Sequence, residues 1–227
     1  MLDLTELIFT VDNILTYDEC RIIMNEFKES DSVKEHCYEV NDNEIRESTV
    51  DIQSLIPETE PFRIIAEKTN ELIEKYFHYI DSLEMIWTEY MMTNLAYSHN
   101  YRLMRYSEGQ SIHDHVDKSP FVFGSATFTL NDNYEGGDFR FFKGKYKLRT
   151  KAGQGMIFPA ESYFVHGVDK ILNGMRYSVN SFLGSEECVV PRNKFNYGSD
   201  YYFHPYTQRF RDYMENESKI FYMKNVN

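Results

Sequence analysis

The chain has 227 residues, a formal charge of −12 and 42% hydrophobic residues. That length suits one domain with a sizeable core and is short for two. The acidity argues against a phosphate-backbone partner, and no run approaches the roughly 18 apolar residues of a membrane span.

Residues 6–15 read as a short strand and a turn. Thr16 to Glu19 fits a capping box, with Thr16 as N-cap and Glu19 reaching back. It opens a helix whose apolar side carries Cys20, Ile23, Met24 and Phe27. Residues 29–51 are polar and aperiodic. The expectation there is a loop with one strand near 44–50, either a lid over a site or an ordinary surface loop. A second helix begins near Pro57 to Pro61, where proline suits a first turn. Phe62, Ile65, Ala66, Thr69, Leu72, Ile73, Tyr76 and Ile80 form its apolar stripe.

From about residue 85 the pattern turns strand-like. Strands are expected near 87–97, 100–107, 122–130, 138–142, 155–158, 164–169 and 175–183. Asn131 to Asn133 with Gly136 and Gly137 marks one turn, and Asn173-Gly174 a tight hairpin. The eighteen Tyr and seventeen Phe suit packing on pleated surfaces. The fold class expected is mainly β with flanking helices, a sandwich or barrel buttressed on one sheet by the two helices. One domain is expected over 1–227, with a core at about 85–185 and an aromatic C-terminal extension from about 187. A helix near 205–223 is the expectation within that extension. The cysteines (20, 37 and 188) are odd in number and scattered, which supports neither a disulfide framework nor a zinc ribbon. With no secretory pattern at Met1 to Asp12, the setting expected is reducing and cytoplasmic.

The chemistry concentrates between residues 106 and 176. His115 and Asp117 form an HxD pair, and on an extended strand that spacing aims both side chains to one face. His166 comes from a distant segment. Two imidazoles and a carboxylate on one side of a metal make the facial triad of non-heme Fe(II) sites, with coordination positions left open. Taken alone, HxD equally suits a polar surface strand. Asp169 would face away from His166 on a strand. His113 shares parity with His115 and Asp117 but lies about 13 Å from Asp117 along a strand, too far to join the same metal, and is expected to face substrate or back up the ligands. Arg176, just past Asn173-Gly174, either grips a carboxylate through its planar fork or makes a surface ion pair.

The run from Tyr106 through Gly109, Gln110, His115 and Asp117 resembles the YxxGQxxxxHxD signature of prolyl 4-hydroxylase-like dioxygenases that use Fe(II) and 2-oxoglutarate. Phe128 to Asn131, Gly136-Gly137-Asp138-Phe139, Ala152 to Pro159, His166-Gly167-Val168 and Gly174 to Tyr177 follow in that family's order, over residues 101–184. The resemblance implies a double-stranded β-helix, or jelly roll. It implies Fe(II) on His115, Asp117 and His166, with 2-oxoglutarate and O2 as cosubstrates and ascorbate as reductant. It assigns Arg176 to the distal carboxylate of 2-oxoglutarate, where collagen-type members use lysine. Tyr106 is a hydrogen-bond donor to that cosubstrate or an aromatic core filler. Arg46, His113 and Thr127 are candidate substrate residues. A peptidyl proline or other protein side chain leads as substrate. A free amino acid or other metabolite, a nucleobase, and a non-catalytic binding module are the alternatives.

Overall fold

The computed structural model describes residues 3–41, 44–57, 59–84, 86–117, 122–185 and 202–203, with only the backbone for 37–41, 44–46, 92 and 202–203. A 3-10 turn at Leu4–Leu7 leads into β1 (Phe9–Val11). The Thr16 capping box then opens α1 (Tyr17–Asn25): Thr16 Oγ1 accepts from the Glu19 backbone N–H at 3.2 Å, and Glu19 accepts from the Thr16 N–H at 2.7 Å.

Next come β2 (Val33–Asn41) and β3 (Glu44–Ser54), antiparallel from Val33 opposite Ile52 to Asn41 opposite Glu44. The expected loop is therefore a long hairpin. Its sequence hides this because Val33, Lys34, Glu35 and His36 are all exposed, so no period-2 burial is written into the edge strand.

Thr59 caps α2 (Glu60–Ser82), with Pro61 in the first turn and the expected stripe buried. Phe62 packs on Tyr101 at 4.7 Å, and the Tyr76 hydroxyl donates to the Leu7 carbonyl at 3.1 Å. The helix thereby covers the outer face of the sheet. The strand expected at 87–97 is instead α3 (Thr88–Thr93), with Thr88 Oγ1 donating to Asp81 at 2.9 Å. Thr88 here ties the short helix to the end of α2, and Trp87 and Tyr90 lie exposed beside it.

The remaining strands are β4 (Tyr97–Tyr106), β5 (Ile112–His115), β6 (Val122–Thr129), β7 (Glu135–Gly136), β8 (Phe139–Phe141), β9 (Tyr146–Leu148), β10 (Gly155–Pro159), β11 (His166–Val168), β12 (Ile171–Asn173), β13 (Arg176–Gly184) and β14 (Tyr202–Phe203). The large sheet runs β1-β10-β6-β13-β4-β3-β2, with β14 also on β4. A smaller sheet runs β5-β11-β8-β9, and β12 pairs with β7. Asn173-Gly174 thus turns the chain without closing a hairpin: β12 pairs with β7, and β13 leaves for the large sheet. Phe141 of the small sheet meets Phe158 of the large one edge-on at 5.1 Å. The two sheets share one apolar core between them, the arrangement of a jelly roll. The helix expected at 205–223 lies outside the described residues. No described helix is long and apolar enough to cross a membrane.

Candidate active site

The two imidazoles meet because β5 and β11 are neighbours. His115 and His166 are direct cross-strand partners, with ring centroids 4.3 Å apart. Asp117 lies just past the end of β5 rather than within it, so the HxD pair is not held by strand pleat alone. Ser125 of β6 supplies the missing constraint by donating to Asp117 Oδ2 at 2.6 Å. Asp117 Oδ1 lies 3.4 Å from His115 Nε2, and its Oδ2 lies 3.4 Å from His166 Nε2.

Backbone carbonyls fix both tautomers. His115 Nδ1 donates to the His113 carbonyl at 2.9 Å, and His166 Nδ1 donates to the Phe164 carbonyl at 3.0 Å. In the neutral rings each Nε2 then carries a lone pair. Two nitrogen lone pairs and a carboxylate converge, with ligand atoms within 4.8 Å of one another. That donor set suits a divalent cation better than it suits itself. Burial holds His166 below its ordinary pKa, which favours the neutral ligand form. At the more exposed His115 burial acts the same way, but Asp117 outweighs it and the pKa is raised. Burial also opposes ionisation of Asp117, yet His115, His166 and Ser125 together hold its carboxyl well below the usual range.

A network behind the ligands locks the small sheet. Arg140 of β8 donates to Asp114 at 2.7 Å, to the Ile112 carbonyl at 3.0 Å and to Asp169 at 2.9 Å, and Lys147 also holds Asp169 at 2.7 Å. One guanidinium therefore ties β8 to both ligand strands. It passes over Gly167, where a Cβ would lie 2.7 Å from both Arg140 Nη2 and the Ile112 carbonyl. Asp169 faces away from the triad, as strand parity requires. Sequence reasoning did not single out Arg140. Its signal was the alternation Phe139-Arg140-Phe141, which sets a charge on the face opposite two core rings.

Arg176 lies at the other end of the same interior. Its exposure is 0%, yet no carboxylate pairs with it among the described residues. Nη1 donates to Ser178 at 3.0 Å, while Nε and Nη2 have no partner. The guanidinium carbon lies 4.9 Å from the Tyr106 ring and 5.0 Å from the Phe139 ring. Gly137 gives its stem room, since a Cβ there would come within 3.2 Å of Arg176 Cδ. A buried cation with idle donors is costly and fits an anion arriving from the cavity. Because Arg176 begins a large-sheet strand, it faces the metal candidates across the interior and does not lie beside them on a hairpin.

A small cavity beside the triad is lined by His115, Asp117, His166, Tyr106, Thr127 and Asn180, and by Ser178, which accepts from Arg176. Tyr106 is paired across strands with Arg176 and supports it with its ring, while its hydroxyl reaches Met104 Sδ at 3.8 Å. Thr127 lines the cavity as expected. His113 does not line it and contributes the carbonyl that orients His115. Arg46 lies in β3, with its side chain outside the described residues.

Residues 101–184 match the family model of the 2OG-Fe(II) oxygenase superfamily. No curated protein matches the chain. Among solved structures, the viral collagen prolyl hydroxylase of Paramecium Bursaria Chlorella virus-1, in its 2OG complex, aligns with a TM-score of 0.55 at 16% identity, over 79% of this chain and 96% of that one. A prolyl-4-hydroxylase of Pseudomonas putida aligns at 0.52 and 14% identity, over 79% and 93%. A Trichoplax adhaerens prolyl hydroxylase, in complex with a hypoxia inducible factor peptide fragment, aligns at 0.57 and 12% identity, over 81% and 86%. Residues 101–184 are thus similar to the 2OG-Fe(II) oxygenase superfamily, and the chain has the fold of the prolyl hydroxylases it aligns with.

Proposed function

We propose that the chain hydroxylates an unactivated C–H bond of a peptidyl proline or other protein side chain, in a reaction dependent on Fe(II) and 2-oxoglutarate. One observation carries this reading: imidazole and carboxylate lone pairs converge on one cavity, and Tyr106 and Ser178, which line that cavity, also hold the buried Arg176, which has no anion among the described residues. His115, Asp117 and His166 would hold the iron, and Arg176 the distal carboxylate of 2-oxoglutarate. Once bound, these groups and O2 supply an oxidation in which 2-oxoglutarate leaves as succinate and CO2 while C–H becomes C–OH. The chain's own share is placement. As ligands the two imidazoles would be neutral and Asp117 would carry one negative charge, leaving a divalent ion a net charge of +1 there. That charge and Arg176 draw the dianion from both ends. Tyr106 and Phe139 wall the guanidinium from water and strengthen its grip. Ascorbate is the reductant such a centre calls for.

A peptide is favoured over a free metabolite by the open groove along β2 and β3, which shares Arg102 with the cavity, and by the peptide held in the Trichoplax adhaerens neighbour. Mass spectrometry of a peptide, amino-acid and nucleobase panel, incubated with enzyme, Fe(II), 2-oxoglutarate and ascorbate, should show a gain of one oxygen on a peptide. A gain confined to free amino acids or bases would replace the substrate class. Anaerobic addition of Fe(II) and 2-oxoglutarate should produce a metal-to-ligand charge-transfer band. His166→Ala should abolish it, and an unchanged band would reject the ligand assignment.

A further inference from the structure

The cavity is lined by a cation, Arg102, that the proposed reaction leaves unused. On β4 the inward positions are Arg102, Met104 and Tyr106. Tyr106 is paired with Arg176, whereas Arg102 is paired with Asn180 of β13 and Ser54 of β3. Two inward steps of about 7 Å each separate Arg102 from the Arg176 row. Arg102 also lines the groove that runs along β2 and β3. It therefore stands between that groove and the cavity of the triad.

Its guanidinium is only partly engaged. Nη1 donates to Glu35 of β2 at 3.0 Å, and the carbon lies 5.3 Å from the Phe182 ring centroid. Nε is buried with no partner among the described residues, and so is Asn180 Oδ1. The Glu35 side chain is 46% exposed, against 18% for Arg102. An exposed carboxylate on an edge strand is a weak and exchangeable partner. A carboxylate arriving side-on would engage Nε and one Nη together and satisfy the idle donor. A single carbonyl would leave one of them unmet.

We infer that Arg102 is the specificity-determining residue of the substrate mouth. It selects substrates that carry a carboxylate near the oxidised carbon, and Glu35 occupies that position until the substrate displaces it. The inference rests on the oxygenase reading above. The carboxylate can belong to an acidic residue of a peptide or to a free amino acid.

The test uses the full chain loaded with Zn(II) and 2-oxoglutarate. Two C-terminally amidated, fluorescein-labelled pools of proline-centred peptides are compared by anisotropy, one with Glu and one with Gln flanking the proline. Unlabelled free L-proline serves as competitor. The Glu pool should bind about tenfold more tightly than the Gln pool. Arg102→Gln should bring that ratio close to one, with Arg102→Lys in between. Glu35→Gln, at an exposed position, should tighten Glu-pool binding several-fold. Displacement by free proline that depends on Arg102 would assign the carboxylate to an amino acid and also support the inference. If neither the Glu pool nor free proline binds wild type more tightly than it binds Arg102→Gln, the inference fails. It fails equally if Arg102→Gln raises the KM for 2-oxoglutarate in substrate-free turnover, because Arg102 would then serve the cosubstrate. Succinate formation by the Fe(II)-loaded wild type is measured alongside. Its absence would overturn the oxygenase reading and leave the binding comparison standing.

Discussion

The triad and Arg176, on the two sheets, are built on opposite principles. At the triad the polar groups satisfy one another: Asp117 is held by Ser125, each imidazole by a carbonyl, and the strands by Arg140. At Arg176 the protein leaves a buried guanidinium with two idle nitrogens. The first end is preorganised by hydrogen bonds and strand register. The second is preorganised by aromatic walls and carries an electrostatic cost that its ligand would relieve. Stability and function should therefore separate at one end and move together at the other.

The largest effect is expected at Arg176. Arg176→Met should raise the KM for 2-oxoglutarate about 100-fold, the loss of two charge-assisted hydrogen bonds. The same change should leave the ligand-free protein as stable or more stable, by about 1–4 kcal/mol, because a hydrophobe replaces an unpaired buried charge. Chemical denaturation without ligands checks this, and a large destabilisation would mean that Arg176 has a structural partner. 2-Oxoglutarate should also raise the melting temperature of wild type and not of the variant.

A smaller effect is expected behind the triad. Arg140→Ala should weaken iron binding about tenfold, as loss of groups supporting metal ligands commonly does, and should destabilise the protein too. Its response to 2-oxoglutarate without metal should be preserved, because Arg176 lies on the other sheet. Competition with a chelator measures the first effect and thermal shift the second; loss of both responses would mean that the two ends are not independent.

The smallest effect is in pH. Burial opposes ionisation of Asp169, but Lys147 and Arg140 outweigh it and its folded pKa is lowered from 3.8. A lowered acid pKa contributes stability that is present above about pH 4 and lost as pH falls through the folded value. Asp117 carries the same sign. Metal-free unfolding measured between pH 3 and 7 should show this acid limb, and Asp169→Asn should make it shallower. An identical limb in that variant would place the lost stability elsewhere.

The jelly-roll class and the convergence of His115, Asp117 and His166 were legible in the sequence, whereas several individual elements were not. His115, His166 and Arg176 are spaced by strands whose side chains alternate between core and cavity, so pattern and chemistry reinforce each other. Asp117 was found through HxD spacing, although it lies beyond the strand, because Ser125 restores what the pleat does not supply. The β2–β3 hairpin was hidden because an edge strand exposed on both faces has no burial period. The segment around Thr88 misled through composition: a short helix tolerates the same aromatics as a strand. The partners of β12 and β13 depend on which sheet each joins, and turn residues alone do not encode that.

Gly167 has a consequence for how this site can change over time. Its neighbour in sequence is a member of the triad, yet the demand on it comes from the other face of the strand, where Arg140 crosses to the Ile112 carbonyl. Even one methyl group would have to push aside the Ile112 carbonyl, on the strand whose His115 faces His166. A side chain at residue 167 would therefore displace Arg140 and the Ile112 carbonyl first, and through them the strand that carries His115.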